Sequence, residues 1–127
     1  MCYSLHDIEK KQNIILPERY KQLYQSNFRD IDGKTIVQTN GEELFHIKKF
    51  LTVVEIIHAL DEFYDWWGYD IVPIAEDKWD DYICLYYKNS RDVPTIVYWN
   101  YDLVLENPDS AVCFLYDSIE TFEIELR

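Results

Sequence analysis

The sequence predicts an α+β domain, with helices packed against a mostly antiparallel or mixed sheet. Three observations carry this. One amphipathic stretch opens with a helix-capping signature at Thr52-x-x-Glu55. A series of short apolar segments, separated by turn residues, runs from Ile71 to Tyr116. An Asn40-Gly41 dipeptide stands between two candidate strands, and both residues tolerate the positive φ of a tight hairpin. The chain has 127 residues, 48% of them hydrophobic, which fits one domain with a sizeable core over residues 1–127.

Ser4 can cap a first helix with Leu5 and Ile8 inside. Pro17 stands at a helix start, where its missing N–H costs nothing. Tyr20, Leu23 and Tyr24 form the apolar stripe of this second helix, and Asn27 to Gly33 reads as a loop. Thr35–Thr39 and Glu42–Ile47 are the strands flanking the hairpin signal. In the helix after Thr52, residues Val53, Ile56, Ile57, Leu60, Phe63, Tyr64 and Trp67 recur at helical spacing. Leu51 and Ile56 are placed as a hydrophobic staple, and Gly68 can end the helix in the left-handed conformation.

The rest reads as a meander. Ile71–Ala75 contains Pro73, which requires an edge or a bulge. Asp81–Tyr87, Thr95–Trp99 and Ala111–Tyr116 are further strands, with turns at Lys88–Pro94 and Glu106–Ser110. Residues 118–126 satisfy either period: Phe122, Ile124 and Leu126 alternate as in a strand, while Asp117 and Glu120 could cap a helix.

Charge narrows the function classes. The net charge is −12, and residues 51–127 hold seventeen Asp/Glu against four Lys/Arg, whereas residues 1–50 nearly balance. Such a field repels nucleic acid and anionic membranes and attracts basic partners, although acidity also serves solubility. Charge arrives at Asp7 before any apolar stretch builds, and no apolar run approaches a membrane span, so a cytoplasmic location is expected. Cys2, Cys84 and Cys113 match no zinc or redox spacing and read as reduced core thiols.

The residues give catalysis little to stand on. His6, His46 and His58 fall on three separate elements, and no metal-protease, phosphate-loop or nucleophile-elbow motif is present. No catalytic residue, cofactor or metal is expected. The segment Glu76-Asp77-Lys78-Trp79-Asp80-Asp81 lacks the spacing of a calcium loop; it is a solvated turn or a protein-contact patch anchored by Trp79. A second cluster, Asp65-Trp66-Trp67-Gly68-Tyr69-Asp70, lies at the helix exit. There Trp66 sits about 100° around the helix from Trp67. Tyr101 and Asp102 follow the Thr95–Trp99 strand and could approach the Glu76–Asp81 turn. The candidate contact residues are thus Trp66, Tyr69, Asp70, Glu76, Asp77, Trp79, Asp80, Asp81, Tyr101 and Asp102.

The order of motifs resembles the SUKH superfamily. Leu16-Pro17-Glu18-Arg19-Tyr20 looks like its L-P-x-x-Y helix start, and Val72-Pro73-Ile74-Ala75-Glu76-Asp77 like its h-P-I-A-x-D element. Asp81 to Leu85, Val97 to Asp102 and Ser118 to Leu126 resemble the segments that follow, the last of them a closing helix. The chain departs from the pattern at Phe28, Asp80 and Tyr101, where the family carries glycine, glycine and histidine. The resemblance implies a bacterial cytosolic immunity protein that binds and blocks a cognate secreted toxin, often a nuclease, and the acidic charge suits a basic one. Its fungal relatives imply a regulatory scaffold instead. A metal-binding or enzymatic module is the third class. Self-association is left open.

Overall fold

A computed structural model describes residues 3–26, 35–37, 43–78, 80–100 and 111–125. Helices α1 (Leu5–Gln12) and α2 (Glu18–Ser26) are followed by strands β1 (Thr35–Val37) and β2 (Glu43–Phe50). Helices α3 (Val53–Glu62) and α4 (Tyr64–Trp67) lead into β3 (Ile71–Asp77), β4 (Tyr82–Tyr86), β5 (Thr95–Trp99) and β6 (Val112–Tyr116), and α5 (Ile119–Glu125) follows. The six strands form one sheet in chain order. All five pairings are antiparallel, so the sheet is not mixed.

Local chemistry sets most boundaries. Ser4 precedes α1, and its N–H donates to Asp7 Oδ2 at 2.6 Å. The Pro17 carbonyl accepts the Lys21 N–H at 3.1 Å, so the proline stands where no donor is needed. Thr52 Oγ1 accepts from the Glu55 N–H, and Glu55 Oε1 accepts from the Thr52 N–H at 3.0 Å, completing the capping box. Ser118, not Asp117, caps the last helix, accepting the Thr121 N–H at 3.2 Å. That helix buries Ile119 and Phe122 and leaves Ile124 exposed. Of the hairpin signal, Asn40 and Gly41 lie outside the described residues, as do the Asn27–Gly33 and Glu106–Ser110 loops. The strands that Asn40 and Gly41 would join are paired, Thr35 opposite His46.

Pro73 is not at an edge, since β3 lies between β2 and β4. The bulge alternative holds: the β3–β4 register shifts between Pro73 and Ala75, and the last β2 partner on β3 is Ala75. Pro73 pairs with Cys84 on β4 but has no partner on β2, so its missing N–H breaks no β2–β3 ladder bond.

The central strands read as unbroken apolar runs because they are buried on both faces. Tyr82, Cys84 and Tyr86 share one face with Thr95, Val97 and Trp99, while Ile83, Leu85 and Ile96 point the other way and are fully buried. On the first face Phe63, Trp67, Tyr82 and Trp99 form an aromatic cluster. The Trp67 ring lies 4.8 Å from Phe63, 5.1 Å from Trp99 and 5.5 Å from Tyr82. The Trp67–Tyr82 and Trp67–Trp99 contacts are near perpendicular, the arrangement that aromatic quadrupoles favour.

The long helix expected through Trp67 breaks at Phe63, where φ is −106° and ψ is 17°. The break turns Tyr64 out of the core stripe, leaving it 48% exposed, while Trp67 stays buried. Gly68 ends α4 with φ 52° and ψ −128°: φ is positive, but ψ takes it out of the expected left-handed helical conformation into a region that only glycine visits freely. A Cβ there would meet nothing within 4 Å, so any cost is backbone strain alone. Gly68→Ala is expected to lose about 2 kcal/mol of stability in urea unfolding, and an unchanged midpoint would refute the strain.

Candidate functional site

The seven candidate contact residues that the structure describes fall into groups at opposite ends of the β3–β4 hairpin. Trp66, Tyr69 and Asp70 lie where Ile71 pairs with Tyr86, whereas Glu76 to Asp81 form the turn at the other end. Tyr82 to Tyr86 spans roughly 14 Å at strand rise, so the expected single face divides in two. Trp79, Tyr101 and Asp102 lie outside the described residues.

The turn is not the solvated acidic patch its composition suggests. Asp77 and Asp81 are buried, at 0% and 7% exposure. Tyr98 donates its hydroxyl toward both, at 2.6 Å to Asp77 Oδ2 and 3.0 Å to Asp81 Oδ2. Asp77 Oδ1 accepts the Asp81 N–H at 3.0 Å and so closes the turn. Burial is the first cause, and these carboxylates the second, of a Tyr98 phenol held far above its ordinary range. Both aspartates therefore build the hairpin rather than present charge.

Asp80 is exposed and Glu76 half-buried, but lysines of β2 answer both. Lys48 Nζ lies 3.0 Å from Asp80 and 3.8 Å from Glu76, and Lys49 Nζ lies 3.8 Å from Glu76. Desolvation, helped by the neighbouring Asp80, raises the Glu76 carboxyl against the pull of the lysines. Lys48 holds Asp80 below the usual range. Asp80 also adopts φ 64°, which explains why a glycine suits the position and why aspartate is a tolerated substitute.

The other end is an open groove of about 550 Å3. Its floor comes from alternate residues of three strands, with Tyr86 opposite Thr95, and Val97 opposite Phe114. Trp66 and Trp67 of α4 form one wall, and Asp70, Lys88 and Asn89 form the polar rim. Trp66 is 42% exposed and Phe114 61%. Beside them Tyr64 and Tyr69 stack edge-on at 5.6 Å, both exposed. Four large aromatic residues thus reach solvent around one end of the sheet, the kind of surface that marks contact sites. Arg91 anchors the rim. Its guanidinium donates to Asp70 Oδ1 at 2.7 Å, to Gln12 O at 2.7 Å and to Tyr69 O at 2.8 Å.

Sequence reasoning named Trp66, Tyr69 and Asp70 but missed Phe114, Tyr64 and the lysine pair. Phe114 sits in an uninterrupted apolar strand, and nothing local marks it as the exposed member. Lys48-Lys49 could be matched to the turn only through the β2–β3 register. Cys84 is the buried thiol expected, its ionisation suppressed by burial, but Cys113 is exposed rather than in the core. Among the described residues, no group of three or more His, Cys, Asp or Glu is placed to hold a metal ion. No described helix is long and apolar enough to cross a membrane.

These features define an α+β domain with an aromatic, polar-rimmed groove at one end of its sheet. The family model of the SMI1 / KNR4 family (SUKH-1) matches residues 4–125, and the chain belongs to that family. No curated protein matches the chain in the comparison.

Proposed function

We propose that this protein is an immunity protein: it binds a cognate toxin, a basic nuclease by preference, and blocks it. Membership of the SUKH-1 family, which includes immunity proteins, is the observation that carries this reading. The net charge of −12 supports it, because nuclease surfaces that hold phosphates are basic and an acidic protein is steered to them. In this reading Trp66, Tyr69 and Phe114 are the anchors, with Asp70 at the rim, and Asp80, at the far end of the β3–β4 hairpin, adds to the steering field. Asp77 and Asp81 act indirectly, by shaping the turn.

Co-expression with toxin genes encoded beside this one tests the proposal by growth rescue. Failure of rescue, with no complex recovered, would reject it. Trp66→Ala is expected to weaken the complex at least tenfold while leaving the urea midpoint nearly unchanged. Raising salt should slow association, as should Asp80→Lys. Asp77→Lys would instead unfold the turn, because it places a cation at a buried position. A second reading, a regulatory scaffold, draws on the same family match, whose name covers SMI1 and KNR4. Stable cellular partners without toxin rescue would favour it.

A further inference from the structure

We propose that the outer edge of β6 pairs with β6 of a second copy, joining two sheets about a two-fold axis at Cys113. β6 ends the strand order, and among the described residues no strand pairs with its other side. The ladder tells which backbone groups face outward. The Asn100 N–H donates to Ala111 O at 2.9 Å, and Tyr98 stands opposite Cys113. Ala111 and Cys113 therefore direct their backbone groups to β5, and alternation turns those of Val112 and Phe114 outward.

Antiparallel self-pairing brings these outward residues together as two equivalent hydrogen-bonded pairs, Val112 with Phe114 of the second copy and the reverse. The dyad then passes through Cys113, facing Cys113 of the second copy in a non-hydrogen-bonded pair with Cα atoms about 4.5 Å apart. A dyad further along the strand is disfavoured, because the β5–β6 register shifts beyond Phe114.

The occupant follows from charge. Val112–Tyr116 carries no charged residue in a chain of net charge −12. A basic strand finds no carboxylate on β6, whereas the strand's own copy matches it in length, apolar character and backbone parity. An uncharged edge that no described strand pairs is a surface that proteins rarely leave uncovered. The remaining negative charge opposes association, so salt strengthens this dimer, opposite to its effect on a basic partner.

Sedimentation of the purified, reduced protein across concentration and salt tests the proposal. A reversible dimer favoured by salt is expected, and Val112→Pro, which removes an outward N–H at the first residue of the strand, should raise its dissociation constant at least tenfold with the circular dichroism unchanged. In a Cys2→Ser background, diamide should take two protons and two electrons from the paired thiols, giving a disulfide-linked species of twice 15.4 kDa. Adding Cys113→Ser should abolish that species but not the dimer. If Val112→Pro fails to fold, the crosslink decides. A monomer at every concentration overturns the proposal, as does a dimer that resists Val112→Pro or forms no crosslink. A monomer whose β6 amides become protected only on toxin binding would assign the edge to the toxin instead, leaving the immunity reading intact.

Discussion

Trp67→Ala is expected to cost about 3–5 kcal/mol, the usual range for deleting a buried indole. Trp67 is 2% exposed and joins the helical layer to the sheet through Phe63, Tyr82 and Trp99. Three ring contacts disappear together, and neighbours held on separate strands and a helix cannot collapse into the void. Against a total stability of about 5–15 kcal/mol, the variant would be marginal or unfolded at 37 °C. Urea unfolding by far-ultraviolet circular dichroism measures the loss. Trp66→Ala, one residue away but 42% exposed, is the control and should shift stability little. A Trp67→Ala cost near that of Trp66→Ala would mean that the aromatic cluster does not hold the layers together.

Alkali should destabilise the fold steeply. Unfolded tyrosines ionise near pH 10. The folded chain keeps Tyr20, Tyr87 and Tyr98 protonated well beyond that, chiefly because burial disfavours the phenolate. Tyr87, whose hydroxyl donates to Ile15 O at 2.8 Å, is held further by the negative charge of Glu9. Below about pH 10 this preference contributes its full stability. Above it the folded state binds more protons than the unfolded state, so stability falls as pH rises, by about 1.4 kcal/mol per unit for each tyrosine. Three such residues give a loss of about 4 kcal/mol over one unit. Tyr82, pushed up to about 12 but partly exposed, adds less. Urea midpoints between neutral pH and pH 11 provide the check, and a flat profile would contradict the buried state of these hydroxyls. Tyr20→Phe should fold well, since that hydroxyl has no hydrogen-bond partner among the described residues, and should flatten the profile by one tyrosine's share.

Much of the fold was legible because its signals are local. The Thr52–Glu55 box, Ser4 with Asp7, and Pro17 before α2 each satisfy backbone groups within one turn. Such signals need no knowledge of the rest of the chain. The strands from Ile71 onward were legible from apolar runs bounded by turn residues. The last segment was ambiguous by period, and the family resemblance decided it for helix, as the structure has it. The break at Phe63 was not legible, because Phe63, Tyr64 and Trp67 continue a helical period through it. That period says nothing about ψ at one residue.

Composition located the acidity in residues 51–127 but not its exposure. A carboxylate reads the same in sequence whether water or a tyrosine hydroxyl solvates it. Only the register of β2 against β3 brings Lys48 and Lys49 to Glu76 and Asp80. Only the pleat of β5, which sends Tyr98 and Trp99 to opposite faces, places a hydroxyl between Asp77 and Asp81 and an indole against Trp67. The sequence alone determined the elements, their order and an acidic, aromatic character, because these depend on local hydrogen bonding and periodicity. The tertiary structure decided which aspartates and tryptophans meet a partner, because burial and pairing depend on residues distant along the chain.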